Sequence, residues 1–343
     1  MMAESTRAVL VGCGGMSRAW LNACSERDDV DIVGLVDIDK GNARTLAEEF
    51  ELDKTLVGDD LKAMLKKVDP GVVFNVTVPA AHTEVACTAL RHGSHVLGEK
   101  PLADSMAKAR RAIRAAEKAD RIYAVIQNRR YTPAIRRLAR LLAKGTIGEI
   151  TTINCDFYIG AHFGGFRDHM EHVLLLDMAI HTFDQARLLT GADPVSVYCR
   201  EWNPRGSWYD RDASAVCVFE MSDGIVFTYR GSWCAEGLNT SWESDWRVVG
   251  TRGTATWDGH DDIRAAALKK SGDFISEMKN VKVPVLAKKD RVGGHAGLLE
   301  EFLWSVRKGV APETVCTDNI KSLAMVFGAI ESAKRGRQVA LKL

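Results

Sequence analysis

The alternation of short apolar runs with amphipathic segments over the first 125 residues limits the possible folds more than any other feature of the chain. The apolar runs are rich in Val and Ile and lie at 8–11, 32–36, 72–76, 95–97 and 122–125. Because they lack the in–out alternation of a half-exposed strand, they are typical of strands buried on both faces of a parallel sheet. Amphipathic helical segments separate them, at 18–26, 41–49, 61–67, 83–91 and 105–119. Strand alternating with helix predicts right-handed βαβ units in a doubly wound sheet.

The second half of the chain has a different pattern, in which most segments between residues 150 and 268 are of β type. One helix interrupts them at 174–190, and Gly191 is suited to end it in a left-handed conformation. Two more helices are predicted at 297–308 and 318–335. We therefore predict an α/β protein of two domains. A doubly wound domain spans 1–127, and an α+β domain with a large, mostly antiparallel sheet spans 128–343.

A glycine-rich turn joins the first predicted strand to the first helix, as Val11-Gly12-Cys13-Gly14-Gly15-Met16-Ser17. In a G-x-G-x-x-G fingerprint the first glycine makes the tight turn, and the second lets a pyrophosphate approach the backbone. The third allows close packing of helix on strand. Gly12 and Gly14 fit the first two roles, and Ser17, a small residue, stands in the third position. The turn predicts a dinucleotide site in which free helix amides bind the pyrophosphate.

Asp37 ends the second predicted strand, about 20 residues after the glycines, where an acidic side chain can bind the adenosine ribose hydroxyls. The alternative is that Asp37 only caps the following helix. Its carboxylate would repel a 2′-phosphate, and no arginine follows directly, since the next residues are Ile38-Asp39-Lys40. The sequence therefore favours NAD, and NADP is the less favoured cofactor.

Two further segments follow predicted parallel strands at the sheet edge where open α/β folds bind ligands. They are Val78-Pro79-Ala80-Ala81-His82 and Gly98-Glu99-Lys100-Pro101. A residue that precedes proline is held extended, so the backbone directs the side chain of Lys100. The alternative is that Lys100 is an ordinary exposed lysine.

The predicted helix at 174–190 carries Asp177 and His181, which are four residues apart and therefore on one face, with Asp184 a turn further on. Three roles are open for the pair: stabilising the helix, binding a metal, or general acid–base catalysis. A metal would need a third ligand that the sequence does not identify. Acid–base chemistry suits histidine because its pKa lies near neutral pH.

The overall composition excludes several classes of protein. The chain has 46 basic and 45 acidic side chains, a balance that gives no field for nucleic acid or an anionic membrane. Its eight cysteines include no C-x-x-C pair, which argues against zinc or redox motifs and favours reduced thiols. The N-terminus lacks the apolar core of a signal peptide, and no apolar stretch of 18 residues exists. We expect a cytoplasmic protein that binds no metal.

Taken together, the glycine loop with Asp37, Glu99-Lys100-Pro101 and Asp177-Met-Ala-Ile-His181-Thr-Phe-Asp184 resemble the Gfo/Idh/MocA oxidoreductases over nearly the whole chain. This is the family of glucose–fructose oxidoreductase and inositol dehydrogenase. The resemblance implies a Rossmann domain beside a domain with a large antiparallel sheet, through which members often form dimers or tetramers. It implies an NAD-dependent enzyme that oxidises or reduces a sugar or polyol, with Lys100, Asp177 and His181 in the catalytic positions.

The resemblance and the strand ends together predict the residues of the site. His181 is the first choice for the proton acceptor and Lys100 the second. The residues expected at the cofactor are Gly12, Gly14, Gly15, Met16, Asp37, Ile38, Val78, Pro79, His82, Glu99, Lys100 and Gln127. Those expected at the substrate are Arg129, Tyr158, Arg167 and His172.

The chain departs from the family pattern just before the predicted catalytic helix. Where the family commonly has a glycine-rich stretch, this sequence reads Met170-Glu171-His172-Val173. Bulky Glu171 and His172 would then stand near the substrate, although His172 could instead bond to backbone at the helix end. Two other functions stay open: a glycosidase that uses NAD for a transient oxidation, and a non-catalytic regulator that binds NAD and a sugar.

Overall fold

The computed structural model describes residues 5–342, and the chain divides into two compact units. The first unit comprises residues up to 128 together with 291–320, and the second comprises 129–290 with the residues from 321 on. The sequence alone predicts 291–320 as part of the second domain. In the structure this segment adds to the first unit, where the Val125 amide donates to the Thr314 carbonyl at 3.0 Å. In the described part of the chain, no helix has the length and apolar character needed to cross a membrane.

The first unit is built on a six-stranded parallel sheet in the order β3-β2-β1-β4-β5-β6. Its strands are β1 (Thr6–Val11), β2 (Val30–Val36), β3 (Leu56–Gly58), β4 (Val72–Asn75), β5 (His95–Gly98) and β6 (Tyr123–Val125). The four residues of β4 and the last four of β1 are all buried, as a sheet covered on both faces requires. The predicted doubly wound parallel sheet is confirmed.

Helices connect these strands, and their ends follow ordinary capping chemistry. They are α1 (Ser17–Ser25), α2 (Lys40–Glu49), α3 (Leu61–Val68), α4 (Pro79–His92) and α5 (Met106–Ala119). Asp39 caps α2 by accepting from the Gly41 amide, and Asp60 caps α3 in the same way. The later helix α8 (His295–Lys308) packs against α1 within the same unit.

The second unit is built on a nine-stranded sheet in the order β14-β13-β12-β11-β7-β10-β9-β8-β15. Its strands are β7 (Ile150–Tyr158), β8 (Pro194–Trp202), β9 (Ser214–Met221), β10 (Val226–Ser232), β11 (Asp245–Gly250), β12 (Gly253–Trp257), β13 (Ile263–Lys270), β14 (Glu277–Asn280) and β15 (Val339–Ala340). Among the described strands of this sheet, only β7 and β10 pair in parallel. The predicted large, mostly antiparallel sheet is therefore confirmed.

Helices pack on one face of this sheet. On the other, uncovered face, the alternate residues of β8, β9 and β10 are exposed or half-buried in the part of the chain that the structure describes. The helices are α6 (Pro133–Ala143), α7 (Ile180–Thr190) and α9 (Cys316–Arg335), whose residues from Lys321 on belong to this unit. Phe183 of α7 is fully buried and meets Phe219, Phe227 and Tyr229 at ring-centroid distances of 4.8, 6.0 and 5.3 Å. Aromatic pairs at these distances add to the stabilisation from burial, so α7 is held rigidly against β9 and β10.

Candidate active site

The glycine loop of the first unit has the geometry of a phosphate-binding turn. Gly12 has φ +94°, and a Cβ there would lie 2.6 Å from the Val76 carbonyl oxygen, so only glycine fits. A Cβ on Gly14 or Gly15 would meet no described heavy atom within 4 Å, and both residues are exposed. Ser17, in the third fingerprint position, is fully buried and donates its hydroxyl to the Gly14 carbonyl. The serine therefore supports the turn, and the space above Gly14 and Gly15 is open to a ligand.

Asp37 lies at the end of β2 and is tied to this loop. Its Oδ2 accepts from the Cys13 amide at 2.7 Å, and its Oδ1 accepts from the Asp39 amide at 2.9 Å. Helix α2 is capped by Asp39 and not by Asp37, so the simple capping role weighed from the sequence does not apply. The half-buried carboxylate is held beside the glycine loop. In dinucleotide-binding folds, an acidic side chain at this position binds the hydroxyls of the adenosine ribose.

Three apolar side chains that follow the carboxyl ends of β1, β2 and β4 are exposed, although each of these strands ends in buried residues. Met16 is 48% exposed, Val78 66% and Ile38 98%. Pro79 is the first residue of α4, directly after Val78. Apolar groups at a ligand-binding edge are suited to the flat faces of adenine and nicotinamide rings. The predicted cofactor residues here thus fit a dinucleotide.

Gln127 follows β6 and is 1% exposed. Neither atom of its side-chain amide has a hydrogen-bond partner among the described residues. Buried amides are nearly always hydrogen-bonded, and an exception calls for an explanation such as a ligand that is absent. With the open glycine loop, this orphaned amide makes the first unit fit the dinucleotide that the sequence predicts.

Glu99 and Lys100 follow β5, and Glu99 is held in a buried setting. The Trp20 indole donates to Glu99 Oε1 at 2.8 Å, and the Lys100 amide donates to Oε2 at 3.1 Å. Burial alone would raise the pKa of Glu99, but the neighbouring His295 ring, Trp20 and the charge of Lys100 lower it overall. Glu99 is therefore a charged anchor for the backbone of Lys100. The peptide bond between Lys100 and Pro101 is cis.

His82 differs from the expectation that its side chain faces the cofactor. It is 1% exposed, and its Nδ1 lies 2.7 Å from the Pro101 carbonyl oxygen while its Nε2 lies 2.8 Å from that of Thr77. Both ring nitrogens are thus engaged by backbone. The side chain of His82 holds together the segments after β4 and β5 and is not open to a ligand.

In the second unit, the helix predicted at 174–190 is present but begins with a wide, π-type segment, Leu174–Ala179, that continues into α7. Asp177 lies in the wide segment and His181 in the first turn of α7. His181 is 8% exposed and Asp177 is half-buried. Single π turns inside helices often occur at functional sites. Gly191 ends α7 with φ +69°, as the sequence predicts.

Asp184, one turn beyond His181, is part of a buried network and not of an open site. Arg130 donates Nε and Nη2 to its two carboxylate oxygens at 2.5 and 2.7 Å, and the Ser322 hydroxyl donates at 2.7 Å. Arg187 lies 4.0 Å away and also donates to Ser322. Two-point arginine–carboxylate pairs are geometrically specific. The network fixes α7 against the segment before α6 and against α9.

Arg167 meets Asp177, as two of the predicted site residues should. Its Nε donates to Asp177 Oδ2 at 2.9 Å, and its guanidinium lies over the rings of Phe163 and Phe166 at 5.0 and 4.8 Å. The aromatic contacts restrict the guanidinium on one side while the carboxylate orients it on the other. Arg167 therefore fixes the orientation of the Asp177 carboxylate.

Arg129 is also close to the Asp177 carboxylate, together with an acidic residue that the sequence analysis missed. Burial lowers the pKa of Arg129, while the negative charges of Glu243 and Asp177 oppose this shift. Arg129 Nη1 lies 3.6 Å from Glu243 Oε1 and donates to the Trp242 carbonyl. Glu243 in turn accepts from Gln185 of α7 at 2.7 Å, and its burial raises its pKa.

Tyr158, predicted at the substrate, is not brought to Asp177. Successive residues of a strand point to opposite faces, and Phe157 is the one packed on the buried, helix-covered face. The pKa of Tyr158 is raised first by burial and then by Asp156, with Arg230 opposing. These neighbours lie on the uncovered face of the sheet, so Tyr158 belongs to that face.

His172 lies two residues before the helical segment, and its ring bonds to a side chain and not to the backbone. Its Nδ1 lies 2.6 Å from Oε2 of Glu201, whose side chain is 2% exposed. Glu201 and Glu243 were both missed from the sequence, because each lies on or beside a strand distant in sequence from its partner. Trp242, 50% exposed beside Glu243, was missed for the same reason. Over residues 5–342, no group of three histidine, cysteine or acidic side chains is arranged to hold a metal ion.

Comparison with known proteins agrees with both units. Residues 6–127 match a family model described as an oxidoreductase family with an NAD-binding Rossmann fold, and residues 135–256 match the GFO/IDH/MocA C-terminal domain. Uncharacterised protein y4oX of Sinorhizobium fredii is 29% identical over 97% of this chain and 94% of its own. D-apiose dehydrogenase of Paraburkholderia graminis is 26% identical over 98% of this chain and 90% of its own.

Among solved structures, an oxidoreductase from Agrobacterium radiobacter in complex with NAD+, L-tartaric acid and magnesium has a similar fold. Its TM-score is 0.84 at 21% identity, and the match covers 98% of each chain.

Proposed function

Because this chain belongs to the GFO/IDH/MocA oxidoreductase family, with an NAD-binding Rossmann fold in its N-terminal part, we propose that it is a sugar or polyol dehydrogenase. It transfers a hydride between NAD(H) and the hydroxyl or keto group of its substrate. The observation that carries the proposal is the acid–base pair on the helix of the second unit. Asp177 and His181 lie four residues apart on a segment fixed by a buried ion pair and an aromatic core.

NAD is the proposed cofactor, and NADP is the less favoured one. The Asp37 carboxylate is held in place by the Cys13 amide. Its negative charge would therefore repel the 2′-phosphate of NADP. Gly12, Gly14 and Gly15 would hold the pyrophosphate, and the Gln127 amide would bond to a polar group of the cofactor. When bound, the nicotinamide ring accepts or returns the hydride. The solved structure from Agrobacterium radiobacter, which contains NAD+, supports the choice.

The chain's own residues place the substrate and move the proton. His181 takes the hydroxyl proton during oxidation, since imidazole titrates near neutral pH. Lys100 hydrogen-bonds the reacting oxygen and stabilises the negative charge that develops on it. Asp177 either grips a neighbouring hydroxyl or orients His181. Glu99 fixes the backbone of Lys100 and thereby the direction of its side chain.

The substrate is proposed to be a neutral sugar or polyol, contacted by Arg129, Arg167 and His172. Each of these three cationic or basic groups already faces a carboxylate: Glu243, Asp177 and Glu201, respectively. An anionic substrate would need positive charge that is not already neutralised. The paired groups can still donate hydrogen bonds to hydroxyls. D-apiose, the neutral sugar in the name of one relative, is consistent with this class.

We also propose a homodimer or homotetramer that assembles through the uncovered face of the nine-stranded sheet. This face exposes Tyr198 and Val218, which are 46% and 39% accessible, and carries a depression of about 520 Å³. Light scattering on wild-type protein and on a Val218→Glu variant tests the assembly. A wild-type protein that is monomeric at micromolar concentration would contradict it.

A screen at 340 nm tests the proposed activity. Neutral sugars, polyols and their keto forms are each offered with NAD and with NADP. We expect net NADH formation with at least one neutral polyol or sugar, and a rate at least about 100-fold lower with the His181→Ala variant. Cleavage of a glycoside without net NADH would instead indicate a glycosidase, and NAD binding without any turnover would indicate a regulator. Either result would overturn the proposal.

A further inference from the structure

The helical segment that carries Asp177 begins in an unusual way. His172 lies just before Val173, the N-cap of this segment, and has φ +55°, a left-handed conformation that non-glycine residues avoid because Cβ crowds the following carbonyl. The His172 carbonyl accepts from the Leu176 amide at 3.0 Å, so this strained residue supplies the first acceptor of the helix. Such a conformation persists only where the surroundings impose it.

The ring of His172 is bonded to Glu201 of β8. Glu201 lies near the end of this strand, on the buried face of the sheet, and its Oε2 is 2.6 Å from His172 Nδ1. The other oxygen, Oε1, is buried and has no hydrogen-bond partner within the described residues. A buried carboxylate in this situation depends strongly on its one hydrogen-bonded partner. Burial raises the pKa of Glu201 while His172 lowers it, and Asp212 and Lys334 are the other charges that act on it.

Apart from the ion pair of Arg167 with Asp177, no side chain among the described residues caps the start of this helix. Val173, at its N-cap, makes no side-chain capping hydrogen bond, and the first six helical residues form the wide π-type segment. Such a segment is irregular, so its register depends on where its first acceptor is held. Asp177 is the fourth residue of this segment. A shift of the His172 backbone would therefore move the Asp177 carboxylate as well.

We propose that Glu201 is a positioning residue: through its bond to His172 it sets the register of the π-type segment and so the place of Asp177. The expected loss of turnover rests on the proposed function, whereas the expected effect on the position of Asp177 does not. Glu201 touches neither cofactor nor reacting atoms in this account. A displacement of about 1 Å in a group that grips substrate can lower turnover by about 100-fold.

Four variants distinguish this positioning role from a role in which the Glu201–His172 pair only stabilises the fold. Glu201→Gln removes the charge, and His172→Gly removes the ring but accepts a left-handed backbone. His172→Asn also tolerates that backbone, and its amide nitrogen stands where Nδ1 stands, so it should restore the bond. Glu277→Gln is the control. It removes a carboxylate of β14, in the same unit, that forms an exposed ion pair with Lys269.

Hydrogen–deuterium exchange on the full-length protein, without added substrate, gives the structural readout. We expect amides 173–181 to exchange at least 10-fold faster in Glu201→Gln and His172→Gly, with near wild-type rates in His172→Asn and Glu277→Gln. Unchanged exchange in the first two variants would overturn the proposal even if the enzyme assay succeeds. This readout needs no turnover, so failure of the proposed activity does not affect it.

The kinetic readout uses the sugar that is turned over fastest in the 340 nm screen. We expect kcat to fall 10- to 100-fold in Glu201→Gln and His172→Gly, and the double variant to lose no more than either single one. His172→Asn is judged by its exchange rates alone, because His172 is also proposed to contact the substrate. Losses of kcat that multiply in the double variant would show that Glu201 and His172 act independently, which would overturn the proposal. A fall in Tm with unchanged kcat would show that the pair serves stability alone.

Discussion

The backbone amide of Cys13 donates to Oδ2 of Asp37 at 2.7 Å, which ties the acid at the end of β2 to the glycine loop after β1. The two residues are 24 positions apart in sequence. The bond fixes a negative charge beside the loop, where a cofactor's ribose would lie. Preference between NAD and NADP should therefore depend on this one carboxylate.

Replacement of Asp37 tests this dependence. Asp37→Asn keeps an acceptor for the Cys13 amide and removes the charge, whereas Asp37→Ser shortens the side chain as well. Hydrogen bonds to a charged group contribute about 1.5–3 kcal/mol, so the ratio of kcat/KM for NAD over NADP should fall roughly 10- to 100-fold. Steady-state kinetics with both cofactors measures it. An unchanged ratio in both variants would remove Asp37 from the site.

Loss of the acid–base groups should lower turnover strongly without preventing cofactor binding. Positioned proton-transfer groups contribute about 10²–10⁴-fold, so His181→Ala and Lys100→Ala should lower kcat by that range. NADH fluorescence titration should give a near wild-type Kd for His181→Ala. Lys269→Ala is the control, because its ammonium belongs to an exposed pair with Glu277. Retention of most of kcat in either of the first two variants would refute its assigned role.

The buried pair of Arg130 and Asp184 should be a major determinant of stability in the second unit. Arg130→Met leaves the Asp184 carboxylate, 1% exposed, without its two-point partner. Breaking a buried ion pair in this way typically costs about 3–5 kcal/mol. Urea denaturation of Arg130→Met should show a loss of this size, and Arg335→Gln, in an exposed pair with Glu331, should change stability by under about 0.5 kcal/mol. Equal effects of the two variants would contradict this assignment.

His95 should make stability depend on pH between about 4 and 6.5. Burial, with the charge of Arg121 second, lowers its pKa to about 4, and its Nδ1 accepts from the Ile122 amide at 2.9 Å. The unfolded chain therefore binds more protons in this range, and the stabilisation present above pH 6.5 is lost as the pH falls toward 4. His95→Asn keeps an acceptor but does not titrate, so its unfolding free energy should vary less over this interval. Parallel pH profiles for the two proteins would contradict the prediction.

Local patterns in the sequence predicted the features that depend on neighbouring residues. The doubly wound sheet, the glycine loop, Asp37 and the helix ending at Gly191 all follow from runs or spacings within about 30 residues. Ser17 could be recognised as a glycine substitute because its small side chain fits the buried third position. The pair of Asp177 and His181 followed from helical spacing, with its role suggested by the family resemblance.

Features that depend on distant parts of the chain could not be predicted. Glu201 reaches His172 across 29 residues, and Asp184 reaches Ser322 across 138. His82 was expected at the cofactor because it follows a strand, but tertiary packing commits its ring to the Pro101 and Thr77 carbonyls. Residues 291–320 belong to the first unit although they follow the second unit in sequence. No local sequence pattern predicts this return of the chain.

Direct isotope transfer tests the central claim of hydride transfer from a carbinol carbon to NAD. A sugar or polyol identified in the screen is deuterated at the reacting carbon and incubated with enzyme and NAD, and the nicotinamide is analysed by mass spectrometry and NMR. We predict one deuterium per NADH formed, located at C4 of the nicotinamide, and a slowed rate with the deuterated substrate. NADH that forms without deuterium, or substrate that is consumed without any reduced cofactor, would contradict the account.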